Sequence, residues 1–115
     1  GLEILEEENL VEKAKVIGEW TLKRLQEMGE EHRLIGDVRG MGMLLAIELV
    51  KDRDTKKPAV EERDAIVREA LNRGLILFRG GRSVIRIAPS LTIGKKELEL
   101  GLDILDDSIA EVERR

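Results

Sequence analysis

The sequence predicts a single domain of mixed helices and strands in the order α-β-α-β-β-α. Three features indicate this class. An apolar stripe at helical spacing runs through 95–112, a long apolar run at 43–50 is typical of a strand, and two short apolar runs at 75–78 and 84–88 flank a glycine-rich turn. The chain has 115 residues, which suffice for one hydrophobic core but not for two domains, so 1–115 is taken as one unit.

The first helix is predicted from Ile4 to Met28. Acidic residues stand near its start and basic residues near its end, as the helix dipole favours. Its apolar positions recur at helical spacing and are Leu10, Val11, Ala14, Ile17, Leu25 and Met28. Gly29 is expected to end the helix, because glycine commonly follows a helix C-terminus.

The first strand is predicted at 43–50. A connector is expected at 32–37, and Gly40 and Gly42 precede the strand. Both faces of the run are apolar apart from Glu48, so we expect a mostly buried strand.

A second helix is predicted at 59–72, with Gly74 just past its end. A short strand at 75–78, a turn at 79–83 and a strand at 84–88 are expected to follow. The inward positions of the second helix are Val60, Ile66, Val67, Ala70 and Leu71. Those of the last helix are Leu98, Leu102, Leu105, Ile109 and Val112.

Composition disfavours several classes of function. The net charge is −4, from 20 basic and 24 acidic residues, which argues against a nucleic-acid binder, and one Trp, one Phe and no Tyr leave no platform for stacking bases. There is no cysteine, and with His32 as the single histidine a metal site is not expected. Neither a membrane span nor a signal-peptide pattern is found, so we expect a cytoplasmic domain. The high share of charged residues, 38%, fits a heat-adapted source.

Arg86 is the most informative residue of the sequence. It stands inside the apolar run VIRIAP at 84–89. A buried guanidinium is costly unless it is paired, so this arginine is expected either to pair with an acid, Glu48 being one candidate, or to face a site that receives an anion. Its planar fork suits a carboxylate or a phosphate. The residues alone favour neither interpretation over the other.

Two glycine-containing segments are open to a ligand interpretation, but a structural one is preferred for each. RGMGM at 39–43 is followed by a strand rather than by a lysine and a helix N-terminus, so its glycines are interpreted as allowing a bend or a close backbone approach. RGGR at 79–82 is interpreted as a solvated hairpin turn. His32 is expected to be a surface or helix-end histidine, and Trp20 and Phe78 to be core or interface residues.

Three segments together resemble a known family. VRGMGMLLAIEL at 38–49 resembles the VRGxGLMxGIEL strand entry of class III pyridoxal-phosphate-dependent aminotransferases. GLIL at 74–77, GG at 80–81 and VIRIAPSLTI at 84–93 resemble their GLL, GG and IRLxPPLxI segments, with Ser90 where a second proline is usual. The resemblance covers essentially the whole chain, but it corresponds only to the C-terminal small domain of such an enzyme.

The resemblance implies an α+β fold, the C-terminal domain of a fold-type I enzyme. This would be a small, mainly antiparallel sheet with helices packed on one side. The partners implied are a large domain that carries pyridoxal phosphate, an amino acid or 2-oxo acid substrate, and a second subunit of a homodimer. The Schiff-base lysine would belong to the large domain, so the isolated chain is expected to bind no cofactor and to be inactive.

The resemblance also implies roles for three residues. Arg86 matches the family's arginine that meets a substrate carboxylate, and Gly40 and Gly42 would shape the adjoining wall of the active site. The parent would move an amino group between an amine or ω-amino acid, such as 4-aminobutyrate, and a 2-oxo acid. An amino-acid racemase of the same fold, or a free-standing α+β module that binds a small acid, is the alternative.

Overall fold

Three helices lie against one side of an antiparallel sheet. The computed structural model describes residues 2–41, 44–89 and 93–115, with side chains from residue 11 onward except at 41. The helices are α1 (Leu2–Glu31), α2 (Val60–Asn72) and α3 (Lys95–Glu113). The strands are β1 (Ile35–Met41), β2 (Leu44–Asp52), β3 (Lys57–Pro58), β4 (Phe78–Gly80) and β5 (Val84–Ile87). No helix within these ranges combines the length and apolarity needed to cross a bilayer.

The sheet is built around β2. Its strand order is β1-β2-β5-β4, and the short β3 pairs with the far end of β2. Every pairing among the described strands is antiparallel. The predicted fold class, a small antiparallel sheet with helices on one side, is therefore confirmed.

The alternation of β2 divides the sheet into two surfaces. Leu45, Ile47 and Leu49 point towards the helices and are at most 3% exposed, whereas Leu44 points the other way and is 74% exposed. The prediction of a mostly buried strand is confirmed, because every residue at 45–50 is buried or half-buried, although the described helices all lie on one side. We call the side without helices the open face; it carries Arg39, Leu44, Ala46, Phe78 and Arg86.

The end of α1 lies beyond the predicted stop at Gly29. The helix continues to Glu31, and a Cβ at Gly29 would lie 3.6 Å from the side chains of Ile35 and Val38. This position therefore lies at the contact between α1 and β1, where there is also room for a methyl group. The glycine does not end the helix.

The end of α2 lies where the sequence predicts it. Gly74 has φ +96°, its N–H donates to the oxygen of Leu71 (3.0 Å), and the N–H of Leu75 donates to the oxygen of Ala70 (2.8 Å). This paired arrangement satisfies the last carbonyl groups of the helix and requires a left-handed residue, which explains the glycine.

Two strand predictions need correction. Residues 35–41, predicted in part as a connector, form β1, whose partner across the ladder is β2. The strand predicted at 75–78 begins only at Phe78, because Leu75 and Leu77 instead pack as irregular chain against the core. Both misassigned segments border the sheet, where pairing with a neighbouring strand, or its absence, decides the conformation.

The core lies between the sheet and the helices. The apolar stripe of α3 contributes all five of its predicted residues, each at most 7% exposed. Burying a side chain of this size stabilises the fold by about 1.5–3 kcal/mol. Trp20 packs against this core as expected, while Phe78 is 63% exposed on the open face.

Candidate functional site

Arg86 lies on the open face and is exposed, not buried. Its neighbour Ile85 is fully buried against the helices, and the two-residue period of a strand turns Arg86 to the opposite side. The expectation of a costly buried guanidinium was therefore wrong. The apolar residues beside it in the sequence pack on the other face of the sheet.

A row of side chains crosses the open face at the level of Arg86. Arg86 is paired with Ala46 on β2 and with Phe78 on β4, and Ala46 is in turn paired with Arg39 on β1. Side chains of directly opposed residues on one face are close neighbours. The row therefore places Ala46 between the two arginines and the ring of Phe78 beside Arg86.

A groove of about 850 Å³ follows this row. Among the described residues that line it are three arginines, Arg39, Arg79 and Arg86, and no acid. The rest of the lining is glycine and apolar side chains. A groove with this composition favours a small anion that carries an apolar portion.

The arginines differ in how far their charge is already balanced. Arg39 pairs with Glu48 and with Asp37, both at 3.2 Å, and Arg79 pairs with Asp64 at 3.4 Å. The ion pair considered between Arg86 and Glu48 is not formed, because Glu48 contacts Arg39. Among the side chains that the structure describes, at 11–40, 44–89 and 93–115, no carboxylate forms an ion pair with Arg86, which leaves its fork available for a ligand.

Gly40 lines the same groove, as the predicted wall residue would. A Cβ at this position would lie 2.6 Å from Leu45 Cδ2 and 3.2 Å from Leu22 Cδ1, so Gly40 also lets α1 and β2 pack closely at this point. Gly42, the other predicted wall residue, lies outside the described residues.

The described lining of the groove does not by itself fit pyridoxal phosphate. That cofactor needs a lysine for its aldehyde and an acid for its ring nitrogen, and neither residue type is found among the lining residues. All eight lysines of the chain are exposed on other surfaces. The groove supplies anion contacts and apolar surface only.

The buried arginine of this domain is Arg63, which sequence reasoning did not identify. It lies on α2, is 6% exposed, and its Nη1 donates to the oxygens of Val84 (2.9 Å), Gly80 (3.2 Å) and Gly81 (3.5 Å). Its Nε contacts Asp64 at 2.8 Å. Arg63 thus anchors the β4–β5 hairpin from the helix side of the sheet.

A signal for Arg63 was present in the sequence. Ala59, Arg63, Ile66 and Ala70 recur at spacings of four, three and four, so the arginine stands within the buried stripe of α2. An arginine in such a stripe needs hydrogen-bond acceptors, and the turn of a hairpin offers carbonyl oxygens.

His32 is buried rather than at the surface, although it does directly follow α1. Its Nδ1 lies 2.5 Å from Glu113 Oε1 and its Nε2 contacts Asp106, both on α3. Burial alone lowers the pKa of His32, but the hydrogen bonds with Asp106 and Glu113 outweigh it, so the pKa is raised above its ordinary value. Glu31 is close enough to complete a three-residue cluster, yet both ring nitrogens are already engaged. The cluster joins α1 to α3.

Comparison with known proteins places the chain in a family. The model of the family described as aminotransferase class-III matches residues 1–109. The chain belongs to the class III aminotransferases. This finding confirms the resemblance carried by the segments at 38–49 and 74–93.

Relatives within the family have different activities. The chain is 46% identical over 112 residues to a leucine/methionine racemase of Thermococcus litoralis, covering 97% of this chain and 25% of the racemase. It is 42% identical over 113 residues to a 5-aminovalerate aminotransferase of Pseudomonas aeruginosa, covering 96% of this chain and 26% of that enzyme. The family is therefore established, whereas the substrate is not.

A solved structure shows the same fold. An aminotransferase from Bacillus anthracis superposes with a TM-score of 0.86 at 35% identity, covering 96% of this chain and 26% of that structure. The chain thus spans about a quarter of the length of the relatives and of the structure that it matches.

Proposed function

We propose that this chain is the C-terminal small domain of a class III aminotransferase. The parent moves an amino group between an amine or ω-amino acid, such as 4-aminobutyrate, and a 2-oxo acid in the cytoplasm. The match to a quarter of larger relatives supports a parent with a further, large domain. That domain carries pyridoxal phosphate, which supplies the amino-group carrier chemistry when bound, and the parent is a homodimer.

Arg86 contacts the substrate carboxylate in this proposal. The observation that carries it is the exposed guanidinium of Arg86 in a groove whose described lining contains no acid. A carboxylate accepts two parallel hydrogen bonds from such a fork, and Phe78 and Ala46 beside it offer apolar contact to a carbon chain. Gly40 and Gly42 form part of the wall, and the chain alone, without the Schiff-base lysine of the large domain, is inactive.

Replacement of Arg86 tests this role in the full-length parent. We expect R86A to raise the KM for the 2-oxo acid about 10- to 100-fold, because a charge-assisted hydrogen bond contributes roughly 1.5–3 kcal/mol. The KM for an amine donor without a carboxylate should stay unchanged. Steady-state kinetics of the two half-reactions measure both values.

R82A is the matched control, because Arg82 is an exposed arginine of the neighbouring turn and does not line the groove. It should leave both KM values unchanged. An R86A enzyme with an unaltered KM for the 2-oxo acid would rule out the carboxylate contact.

A racemase parent is the second candidate, favoured by the 46% identity to the Thermococcus litoralis relative. The two activities differ in their products. Incubation of the parent with a single L-amino acid, followed by chiral chromatography, yields the D-enantiomer only for a racemase. Amino transfer to an added 2-oxo acid, without racemisation, supports the aminotransferase.

A further inference from the structure

The side chain of Arg86 lies directly over Gly80. A Cβ placed on Gly80 would be 2.6 Å from Nε, 3.0 Å from Cγ and 3.1 Å from Cδ of Arg86. Gly80 is paired with Val84, two residues before Arg86, so the two are diagonal neighbours on one face of the hairpin. Gly80 is itself buried although it lies on the open face, because the arginine stem covers it.

The backbone beneath Gly80 is held from the other side of the sheet. Arg63 donates to the carbonyl oxygens of Gly80 and Gly81 and, at 2.9 Å, to that of Val84. Because the buried guanidinium ties both strands of the hairpin to α2, the backbone at Gly80 has little freedom to retreat. A side chain added at position 80 must therefore displace Arg86.

We propose that Gly80 is a positioning residue that sets the direction of the Arg86 guanidinium into the groove. This inference rests on the proposed contact between Arg86 and a substrate carboxylate. Two-point recognition requires the fork to be held within about 0.5 Å and 10–20° of its productive geometry. Gly80 lets the stem of Arg86 lie flat on the sheet, which fixes where the fork ends.

The G80A variant separates positioning from folding. The backbone of Gly80 is outside the left-handed region, so alanine can adopt it, and the atoms that a methyl group meets belong to a flexible arginine rather than to backbone. We therefore expect G80A in the full-length parent to fold, with a Tm within a few degrees of the wild type. The KM for the 2-oxo acid should rise about 5- to 20-fold, while that for a carboxylate-free amine should not change.

Two glycine variants serve as controls. G29A places its Cβ 3.6 Å from Ile35 and Val38, an ordinary contact, and should change neither KM value; its Tm should stay the same or rise slightly, because alanine is favoured over glycine within a helix. G36A places its Cβ 2.6 Å from Val50 Cγ1, at a distance from Arg86 along the sheet, and should lower Tm without changing the ratio of the two KM values. A change in that ratio with G36A would show that general destabilisation explains the G80A result.

The double variant R86A/G80A completes the test. Positioning predicts that G80A has no further effect on the KM for the 2-oxo acid once Arg86 is absent. An equal effect of G80A with and without Arg86 would overturn the proposal. If R86A raises this KM and G80A does not, the positioning role of Gly80 is ruled out but the proposed carboxylate contact of Arg86 is not. If R86A has no effect, both proposals are ruled out.

A crystal structure of the wild-type parent with a bound carboxylate provides a test that needs no variant. The proposal predicts that the Cγ and Cδ atoms of Arg86 remain in van der Waals contact with Gly80 while the fork holds the carboxylate. A stem that leaves Gly80 when the ligand binds would overturn it.

Discussion

The β4–β5 hairpin has an arginine on each side of the sheet. Arg63 reaches it from α2 and is buried, with three backbone oxygens as acceptors, whereas Arg86 lies on the open face and is exposed. Hydrogen bonds to backbone oxygens and the contact with Asp64 offset the cost of burying the guanidinium of Arg63. Arg86 is exposed and so keeps its hydration.

His32 is the residue that makes stability depend on pH. Its folded-state pKa is raised, so its interactions with Asp106 and Glu113 stabilise the fold fully below the ordinary pKa of about 6.5 and are lost as pH rises through the raised value. We expect the urea midpoint of the chain to fall as pH rises from about 6.5, the ordinary pKa of histidine, through the raised pKa of His32. The H32Q variant should be less stable at pH 6 and should lose this dependence.

Comparison of the wild-type chain with H32Q isolates the contribution of His32, because both proteins contain all the other titratable groups. Chemical denaturation at several pH values, followed by circular dichroism, gives the midpoints. Parallel pH profiles for the wild type and H32Q would contradict the assignment to His32.

At the scale of elements, Arg63 joins α2 to both strands of the β4–β5 hairpin through backbone carbonyl oxygens. R63M keeps the apolar stem but removes the donors to the oxygens of Gly80, Gly81 and Val84. We expect the free energy of unfolding to fall by about 2–3 kcal/mol, since hydrogen bonds from charged groups contribute about this much. Urea denaturation measures the change.

R68M is the control for this prediction, because Arg68 is exposed on the same helix. Its effect should stay within about 0.5 kcal/mol. If R63M and R68M destabilised the chain equally, the hairpin anchor would have to be abandoned.

The elements that sequence patterns misplace are those at the margins of the sheet. In β1 the apolar side chains described at the core are those of Ile35 and Val38, and glycines and charged residues interrupt any alternation. The ladder to β2 therefore defines this strand, through backbone hydrogen bonds between residues that lie apart in the sequence. Leu75 and Leu77, by contrast, are apolar and pack against the core, but they do not pair with a strand.

At the scale of the whole molecule, the open face carries exposed apolar side chains beside its arginines, and one further domain could cover it. Leu44 is 74% and Phe78 63% exposed there, next to the groove. Exposed apolar patches of folded chains favour association. In the proposed parent, the large domain covers this face.

The isolated chain should therefore self-associate through the open face. We expect the F78S variant to weaken this association about 5- to 10-fold, as burial of an aromatic ring contributes at least 1 kcal/mol. Sedimentation equilibrium at several concentrations measures the dissociation constant.

L100S is the matched control, since Leu100 is 61% exposed on α3, which packs on the helix side of the sheet. It should leave the dissociation constant unchanged. A wild-type chain that stays monomeric at high concentration would contradict the prediction.

Local patterns in the chain were enough to predict the three helices, the end of α2 at Gly74 and the order of the main strands. Helical periodicity, a glycine after a helix and an apolar run each depend on neighbours within a few residues. The family resemblance then indicated the fold class and pointed to Arg86 and Gly40, both of which line the groove.

The packing of the sheet against the helices decided which arginine is buried. Arg63 and Arg86 both stand among apolar residues, and nothing local says which face of a strand the helices will cover. Ile85 and Ile87 contribute to the core, so Arg86 must point outward, while the stripe of α2 turns Arg63 inward to the hairpin oxygens. Burial depends on contacts between residues distant in sequence, which is why only the folded chain separates the anchoring arginine from the one that faces the groove.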